Sequence, residues 1–446
     1  MDNADSPLTR PHAEGTEAHQ PQTWKFRVVY AGSVGIVKPV PVCWSGARPL
    51  GIGRRSESPV AGPWLRVEDE PVSREHARIY RTRLGVVVED LHSRNGSFLN
   101  GVRLRAGAAR RLDDGDVLRV GNSFIVARFE PAKPPDVSVP ALVGVSLVMC
   151  ALRRAIDGAA RHERPVLLVG EPGSGRGLAA QTIHQLSQRR RNLVAVSCES
   201  MQAEQLEEQF FGVQRGGRPA RGFLTDAHQG SLFLNEVAAL PLEMQGKLVA
   251  ALKSGQALPV GGSEAAACDV RVLAATRREL TAAVRDQSIS AELLAAGDII
   301  PVAPLRARRE DILLLVQYFA GPTFWVSPRM VAALLAYGWP LNVREVPLVI
   351  DRLRNGSEQD AIRSLSSSSR TVPAEPELMS GTESEPSELT PSRSARPPAP
   401  SREQIIALLE QYSGNLSRIQ AEHGYSRRQF HRWVDRYGLD LSSYRR

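Results

Sequence analysis

Short apolar runs separated by Gly, Pro and Asn turns fill the chain from residue 24 to 130. The runs at 26–30, 77–80, 86–89, 117–120 and 123–129 have strand length and turn-rich boundaries, which predicts an all-β sandwich. From 141 to about 355 the pattern changes. Apolar strand-like runs at 166–169, 193–196, 231–234 and 270–274 alternate with stretches of helical period, predicting an α/β domain with a parallel sheet. Residues 364–400 are rich in Ser, Pro and Glu and poor in aromatics, too polar to bury a core. In the last block, Ile405, Ile406, Leu408 and Leu409 mark an amphipathic helix over 403–412. Gly414 and Asn415 break it, a second helix covers 416–423, and Gly424-Tyr425-Ser426 turns into a third over 427–437. There Phe430, Val434 and Tyr437 fall at i, i+4 and i+7 on one packing face, which leaves Arg427, His431 and Arg432 pointing elsewhere.

A chain of 446 residues suggests about three domains. The 56 basic and 48 acidic residues give a net charge of +8, a mild excess compatible with nucleic acid. Cys43, Cys150, Cys198 and Cys268 lack metal-site spacing, so no metal and no disulfide framework is expected. The N-terminal 22 residues carry Asp2, Asp5 and Glu14 without an apolar centre. They read as a disordered segment, not a signal peptide. No apolar run approaches the roughly 20 residues that span a bilayer, so a cytoplasmic protein without a membrane partner is expected.

Gly-Glu-Pro-Gly-Ser-Gly-Arg-Gly at 170–177 has the glycine spacing of a phosphate-binding loop. That motif requires Lys and then Ser or Thr at its end. Here Arg176 replaces the compact ammonium with a planar guanidinium, and Gly177 offers no hydroxyl for Mg²⁺.

Three signatures in the first block, Ile52-Gly53-Arg54, Ser73-Arg74-Glu75-His76-Ala77 and the run 90–101 that contains Ser93-Arg94-Asn95-Gly96, resemble the forkhead-associated (FHA) domain. The resemblance implies a β-sandwich that binds phosphothreonine peptides. Arg54 and Ser73 would contact the phosphate with Arg74 beside them, Asn95 would fix the peptide backbone, and Gly53, His76 and Asn100 would hold the loops. Arginine suits the role because it supplies charge-assisted donors to a group with nearly two negative charges.

The middle block resembles the AAA+ domain of sigma-54-dependent enhancer-binding activators. The match rests on Leu142-Val143-Gly144, the glycine loop, Phe210-Phe211-Gly212, Gly230 through Glu236, Arg271 through Thr276, Pro304-Leu305-Arg306 and Trp339-Pro340-Leu341-Asn342-Val343-Arg344-Glu345. It implies a nucleotide site at Gly170, Gly173, Gly175, Arg176, Gly177, Asn235, Glu236 and Arg344. Several positions depart from the family. Its Mg²⁺-organising aspartate falls on Asn235, although Glu236 survives, and an amide is a poor ligand for a hard cation. Its switch asparagine falls on Ser197, its sensor residue on Arg277, and its two arginine fingers on Ser290 and Ala296. Only the second sensor, Arg344, is retained. After Phe211-Gly212 the chain has nine residues, 213–221, where the family carries its sigma-54-contacting Phe-Thr loop. These departures predict a domain that is no enzyme, binds ATP at most without turnover, and lacks the usual sigma-54 contact.

The last block resembles the Fis-type helix-turn-helix. Asn415 and Ser417 would approach phosphates, and Ser426, Arg427, Gln429, His431 and Arg432 would face DNA, as a recognition helix in a major groove requires. The expected organisation is therefore a disordered 1–22, an all-β FHA sandwich at 23–131 and a linker at 132–140. A degenerate α/β AAA+ core follows at 141–300, a helical lid at 301–356, a flexible linker at 357–400 and an all-α helix-turn-helix at 401–446. The expected partners are a phosphothreonine protein, DNA, and further copies of this chain or related AAA+ subunits. Two rival readings remain: a working ATP-dependent sigma-54 activator, and a phospho-dependent protein scaffold.

Overall fold

The computed structural model describes residues 22–54, 62–83, 85–131, 137–189, 191–202, 205–215, 218–295, 297–368 and 409. The expected DNA-contacting residues Asn415, Ser417, Ser426, Arg427, Gln429, His431 and Arg432 lie outside the described residues, as does Ala296. The chain divides into two compact units, Met1–Pro373 and Ala374–Arg446. The features below belong to the first.

Its N-terminal part is a sandwich of two sheets. One contains Gln22–Ala31, Ser123–Pro131, Val117–Val120 and Ser97–Leu99 as successive antiparallel neighbours. The other contains Ala109–Arg111, Gly85–Asp90, Ala77–Thr82, Leu50–Gly53 and Trp64–Arg66. Phe26, Trp44, Ile52, Ile79, Val88, Leu118 and Ile125 fill the space between the sheets. Strand residues alternate between faces. In Ser123–Pro131, Ile125 and Ala127 point into the sandwich, whereas Phe124 and Val126 point away from it. Those outward residues are also buried, which is why the stretch reads as an unbroken apolar run.

What covers them is the helical lid. Val29, Tyr30, Val117, Phe124 and Val126 share one apolar cluster with Ile312, Val316, Met330 and Val331 of the helices Arg309–Ala320 and Pro328–Ala336. Polar contacts fix the seam. Tyr30 donates its hydroxyl to the Val326 carbonyl (2.8 Å), Arg309 donates to the Gly115 carbonyl (3.2 Å), and Arg128 donates to both carboxylate oxygens of Glu310. The sequence pattern signals that this face is covered but not by what.

The α/β core is a five-stranded parallel sheet in the order Leu193–Ser197, Ser231–Asn235, Arg271–Thr276, Val166–Val169 and Asp298–Pro301. Val166–Val169 runs directly into the glycine loop and then into the helix Arg176–Leu186. One expectation is corrected here. The segment expected to be flexible from 357 onward begins with a helix, Glu358–Ser368. Ala361 and Leu365, four residues apart, are each 3% exposed and pack into the lid, and Ser327 bonds to Glu358 at the start. A single i, i+4 pair inside a serine-rich stretch is too sparse to register as periodicity.

Candidate functional sites

The first site is a cleft of about 920 Å³ at the loop end of the sandwich, lined by Arg54, Ser73, Arg74, Arg94, Asn95, Arg119 and Asn122, with Glu70 and Glu75. Gly53 is required where it stands, because a Cβ there would overlap the Arg74 carbonyl. That close approach lets the Arg54 amide donate to the Ser73 carbonyl (3.1 Å), joining the two loops that bear the expected phosphate contacts. The Arg94 amide donates to Ser73 Oγ (3.2 Å), and the Asn95 side-chain amide donates to the Pro71 carbonyl (2.7 Å). In this state Asn95 is therefore tied to the neighbouring loop that bears Ser73. Asn100 does not reach the cleft. It sits in a left-handed turn (φ 49°), donates to Asp116 (2.6 Å) and accepts from the Val117 amide (2.9 Å).

His76 is fully buried behind the cleft. Its Nδ1 accepts from the Ser73 amide (3.0 Å), so the ring proton lies on Nε2, which faces the Gly96 carbonyl (3.3 Å). One neutral imidazole thus holds both loops. Burial pushes its pKa below the ordinary histidine range, against the opposing pull of the Gly96 carbonyl and Asp90. Protonation would aim a second N–H at the Ser73 amide. The folded form therefore binds fewer protons than the unfolded chain, and stability present at neutral pH is lost as pH falls below about 6.5. We expect the melting temperature of the full chain to fall faster over that window than that of His76→Gln. Parallel slopes in the two proteins would contradict this assignment.

Asp90, which opens the third signature but was given no role in the sequence reading, braces the next loop. It accepts from the Ser93 amide (2.9 Å) and from the Ser93 and Ser97 hydroxyls (both 2.6 Å). Burial pushes its pKa up, but these hydrogen bonds outweigh burial and hold it below the usual carboxylate range.

The second site is the glycine loop. Gly173 (φ 77°) and Gly175 (φ 115°) need the left-handed region, and a Cβ on Gly173 would also overlap the Leu341 carbonyl. The turn Asn342–Glu345 packs here, with the Val343 amide donating to the Gly173 carbonyl (3.0 Å) and Arg344 exposed nearby. Arg306 and Asn342 bond to Glu171 (2.7 and 3.1 Å), and Arg308 donates to the Ser174 carbonyl (3.0 Å). The Arg306 guanidinium holds the Glu171 carboxyl below its usual range.

Arg176 does not lie free. Its side chain is 7% exposed, and its guanidinium bonds to Glu236 across the site. The other Glu236 oxygen accepts from the Arg277 amide (3.0 Å), so both are engaged. Asn235 ends the strand Ser231–Asn235 just before Glu236, and Ser197 ends the strand paired beside it. At Gly177 an added Cβ would meet nothing nearer than the Phe233 ring at 4.0 Å, so a hydroxyl residue would fit. The missing hydroxyl is a matter of residue identity, not space. Arg176 Nη1 and Ser174 Oγ are buried without a partner. Together with loop amides at a helix N-terminus, those groups suit a phosphate chain. For Mg²⁺ the site is poorer, because Asn235 offers an amide and the Glu236 carboxylate is already engaged by Arg176 and the Arg277 amide. Among the described residues, no cluster of three His, Cys, Asp or Glu side chains could hold a metal.

Arg277 pairs with Glu199 (3.0 Å), and the Ser290 amide donates to Gln245 (2.8 Å). The shortened connection after Gly212 forms an antiparallel ribbon, Val213–Arg215 with Arg218–Ala220. Among the described residues, no helix is long and apolar enough to cross a membrane.

Comparison with known proteins gives two family matches: the Sigma-54 interaction domain over residues 142–302 and the FHA domain over residues 50–121. The chain is 33% identical over 314 residues to the nitrogen assimilation regulatory protein NtrX of Azorhizobium caulinodans, which covers 67% of this chain and 69% of that protein. It is 37% identical over 238 residues to the response regulator protein PilR of Pseudomonas aeruginosa, covering 50% of this chain and 54% of PilR. It is 36% identical over 223 residues to the DNA-binding transcriptional activator HyfR of Escherichia coli, covering 46% and 33%. The chain thus spans about half of PilR and a third of HyfR.

Proposed function

This chain belongs to the sigma-54-dependent transcriptional regulators, with an FHA domain at its N-terminal side, and we propose that it is a DNA-binding regulator gated by threonine phosphorylation whose AAA+ domain does not hydrolyse ATP. The observation that carries the second half is the Arg176–Glu236 pair. Glu236 is the carboxylate beside Asn235, where the resemblance places the group that polarises the attacking water. The residue standing for lysine neutralises it, so it has little capacity to polarise a water.

Catalysis of phosphoryl transfer is mostly positioning and stabilisation of developing charge. A site with an amide at Asn235, with the Glu236 carboxylate held by Arg176 and with its finger positions at Ser290 and Ala296, supplies little of either. The intact glycine loop supports nucleotide binding without turnover. The cleft around Arg54 and Ser73 supports recruitment by a phosphothreonine partner. The terminal block, by its resemblance to Fis-type helices, would contact DNA through Arg427 and Arg432, in a protein that acts in the cytoplasm. Assembly with further copies or related subunits fits the family. The short ribbon after Gly212 argues against the usual sigma-54 contact.

The test is ATP hydrolysis by the full chain with Mg²⁺, across protein concentration and with DNA, beside the double variant Arg176→Lys, Asn235→Asp. We expect no turnover in the parent and little in the double variant, since the finger positions stay empty. Concentration-dependent turnover by the parent would overturn the reading.

A further inference from the structure

A cavity of about 860 Å³ lies between the sandwich and the lid. Its size and its place at a domain interface suit a small-molecule site. One wall is the outer face of the sandwich, where Phe98, Arg119 and Phe124 stand in one row across three paired strands. Leu118 and Val120 point into the sandwich core, so alternation turns Arg119 to this outer face. The facing wall is apolar, formed by Ala332, Leu335 and Ala336 of the lid helix Pro328–Ala336.

The charges around the cavity do not cancel. Arg128 is held by Glu310 and Arg306 by Glu171. Both carboxylates on the wall are taken. Asp114 accepts from the Phe129 amide (2.7 Å) and Arg128 (3.4 Å), and Asp116 accepts from Asn100 (2.6 Å) and the Asp113 amide (2.8 Å). Arg309 donates to the Gly115 carbonyl, and among the described residues neither it nor Arg119 pairs with a carboxylate. The Arg119 guanidinium carbon sits 3.8 Å from the Phe98 ring centroid, and its Nε is buried without an acceptor. Cation–π stacking fixes where this group stands. Arg119 also borders the phosphopeptide cleft, but Phe98 lines the cavity and not the cleft. Burial pushes the Arg119 guanidinium below its ordinary range, with no acid acting against it.

A stacked, half-buried guanidinium without a counter-ion is completed by an anion, and the apolar walls beside it suit an apolar body. We propose that this cavity binds a small organic acid, with its carboxylate on Arg119 and its hydrocarbon body between Phe124 and the helix Pro328–Ala336. Such a ligand touches sandwich and lid at once, so its binding stabilises the joined unit. The site is distinct from the phosphopeptide cleft and from the glycine loop.

Isothermal titration calorimetry of the full chain with octanoate, octanol and octylamine separates the head from the tail. Octanoate should bind and raise the melting temperature, octanol should bind about tenfold more weakly, and octylamine should not bind. Arg119→Gln should lose about tenfold in octanoate affinity, the scale of one charged hydrogen bond, and keep its affinity for octanol. Ala336→Phe fills the cavity from an exposed position that does not line the cleft. It should block octanoate and leave the melting temperature of the free protein unchanged. Failure of octanoate to bind, equal affinity for octanol, or octanoate binding that survives Arg119→Gln or Ala336→Phe would overturn the proposal.

Discussion

Arg128→Ala is expected to loosen the FHA sandwich from the lid and to destabilise the joined unit by about 3–5 kcal/mol, the cost of stranding one member of a buried ion pair. Glu310 keeps 2% side-chain exposure and Arg128 13%, and the guanidinium grips both carboxylate oxygens while also donating to the Ala307 carbonyl (2.7 Å). Burial pushes the Glu310 carboxyl up from its ordinary range, and Arg128 is what draws it back. Without Arg128 the carboxylate must take up a proton or open the seam to water. Thermal unfolding reads the outcome: the wild type should melt in one transition, the variant in two, with the lid going first. Replacing both partners together, Arg128→Met with Glu310→Leu, should recover most of the loss, because an apolar pair adds no desolvation penalty. An unshifted transition in Arg128→Ala would mean that the apolar contacts of Phe124 and Val126 alone hold the domains together.

The consequence reaches the glycine loop. Arg306 and Arg308 hold that loop through Glu171 and Ser174, and Glu310 stands two residues further along the same segment. One short stretch therefore touches the nucleotide site on one side and the sandwich on the other.

The second large effect lies in the cleft. Arg54→Ala should weaken binding of a phosphothreonine peptide by about 10- to 100-fold, since charged hydrogen bonds contribute about 1.5–3 kcal/mol and each 1.4 kcal/mol is tenfold. The substitution leaves the loop intact, because what Arg54 gives to the fold is its backbone amide on the Ser73 carbonyl. Fluorescence anisotropy with a selected phosphopeptide measures the loss, and an unchanged melting temperature shows that folding was spared. Equal affinity in variant and wild type would remove Arg54 from the site.

Local signals made much of this legible in advance. The glycines of the loop at 170–177 announce a backbone that must adopt left-handed angles, and the structure places Gly173 and Gly175 there. The strands of the sandwich follow from apolar runs between turns. Arg119 escaped notice because its stacking partner, Phe98, lies across a strand pair, and Asp90 was given no role because its bonds to Ser93 and Ser97, three and seven residues on, depend on how the turn closes. The helix Glu358–Ser368 escaped because a serine-rich composition outweighed its three apolar positions, Ala361, Ile362 and Leu365.

By itself the sequence put Arg176, Asn235 and Gly177 where the resemblance implies a lysine, an aspartate and a hydroxyl residue. It could say that those groups were changed, but not what the replacements do. Only the tertiary structure decided that Arg176 turns to Glu236 and neutralises the remaining carboxylate, because the two residues stand 60 positions apart and meet only where parallel strands align their ends. The docking of sandwich on lid has the same origin. An apolar strand face records that something must cover it, while the covering partner is chosen by shape and charge across the fold.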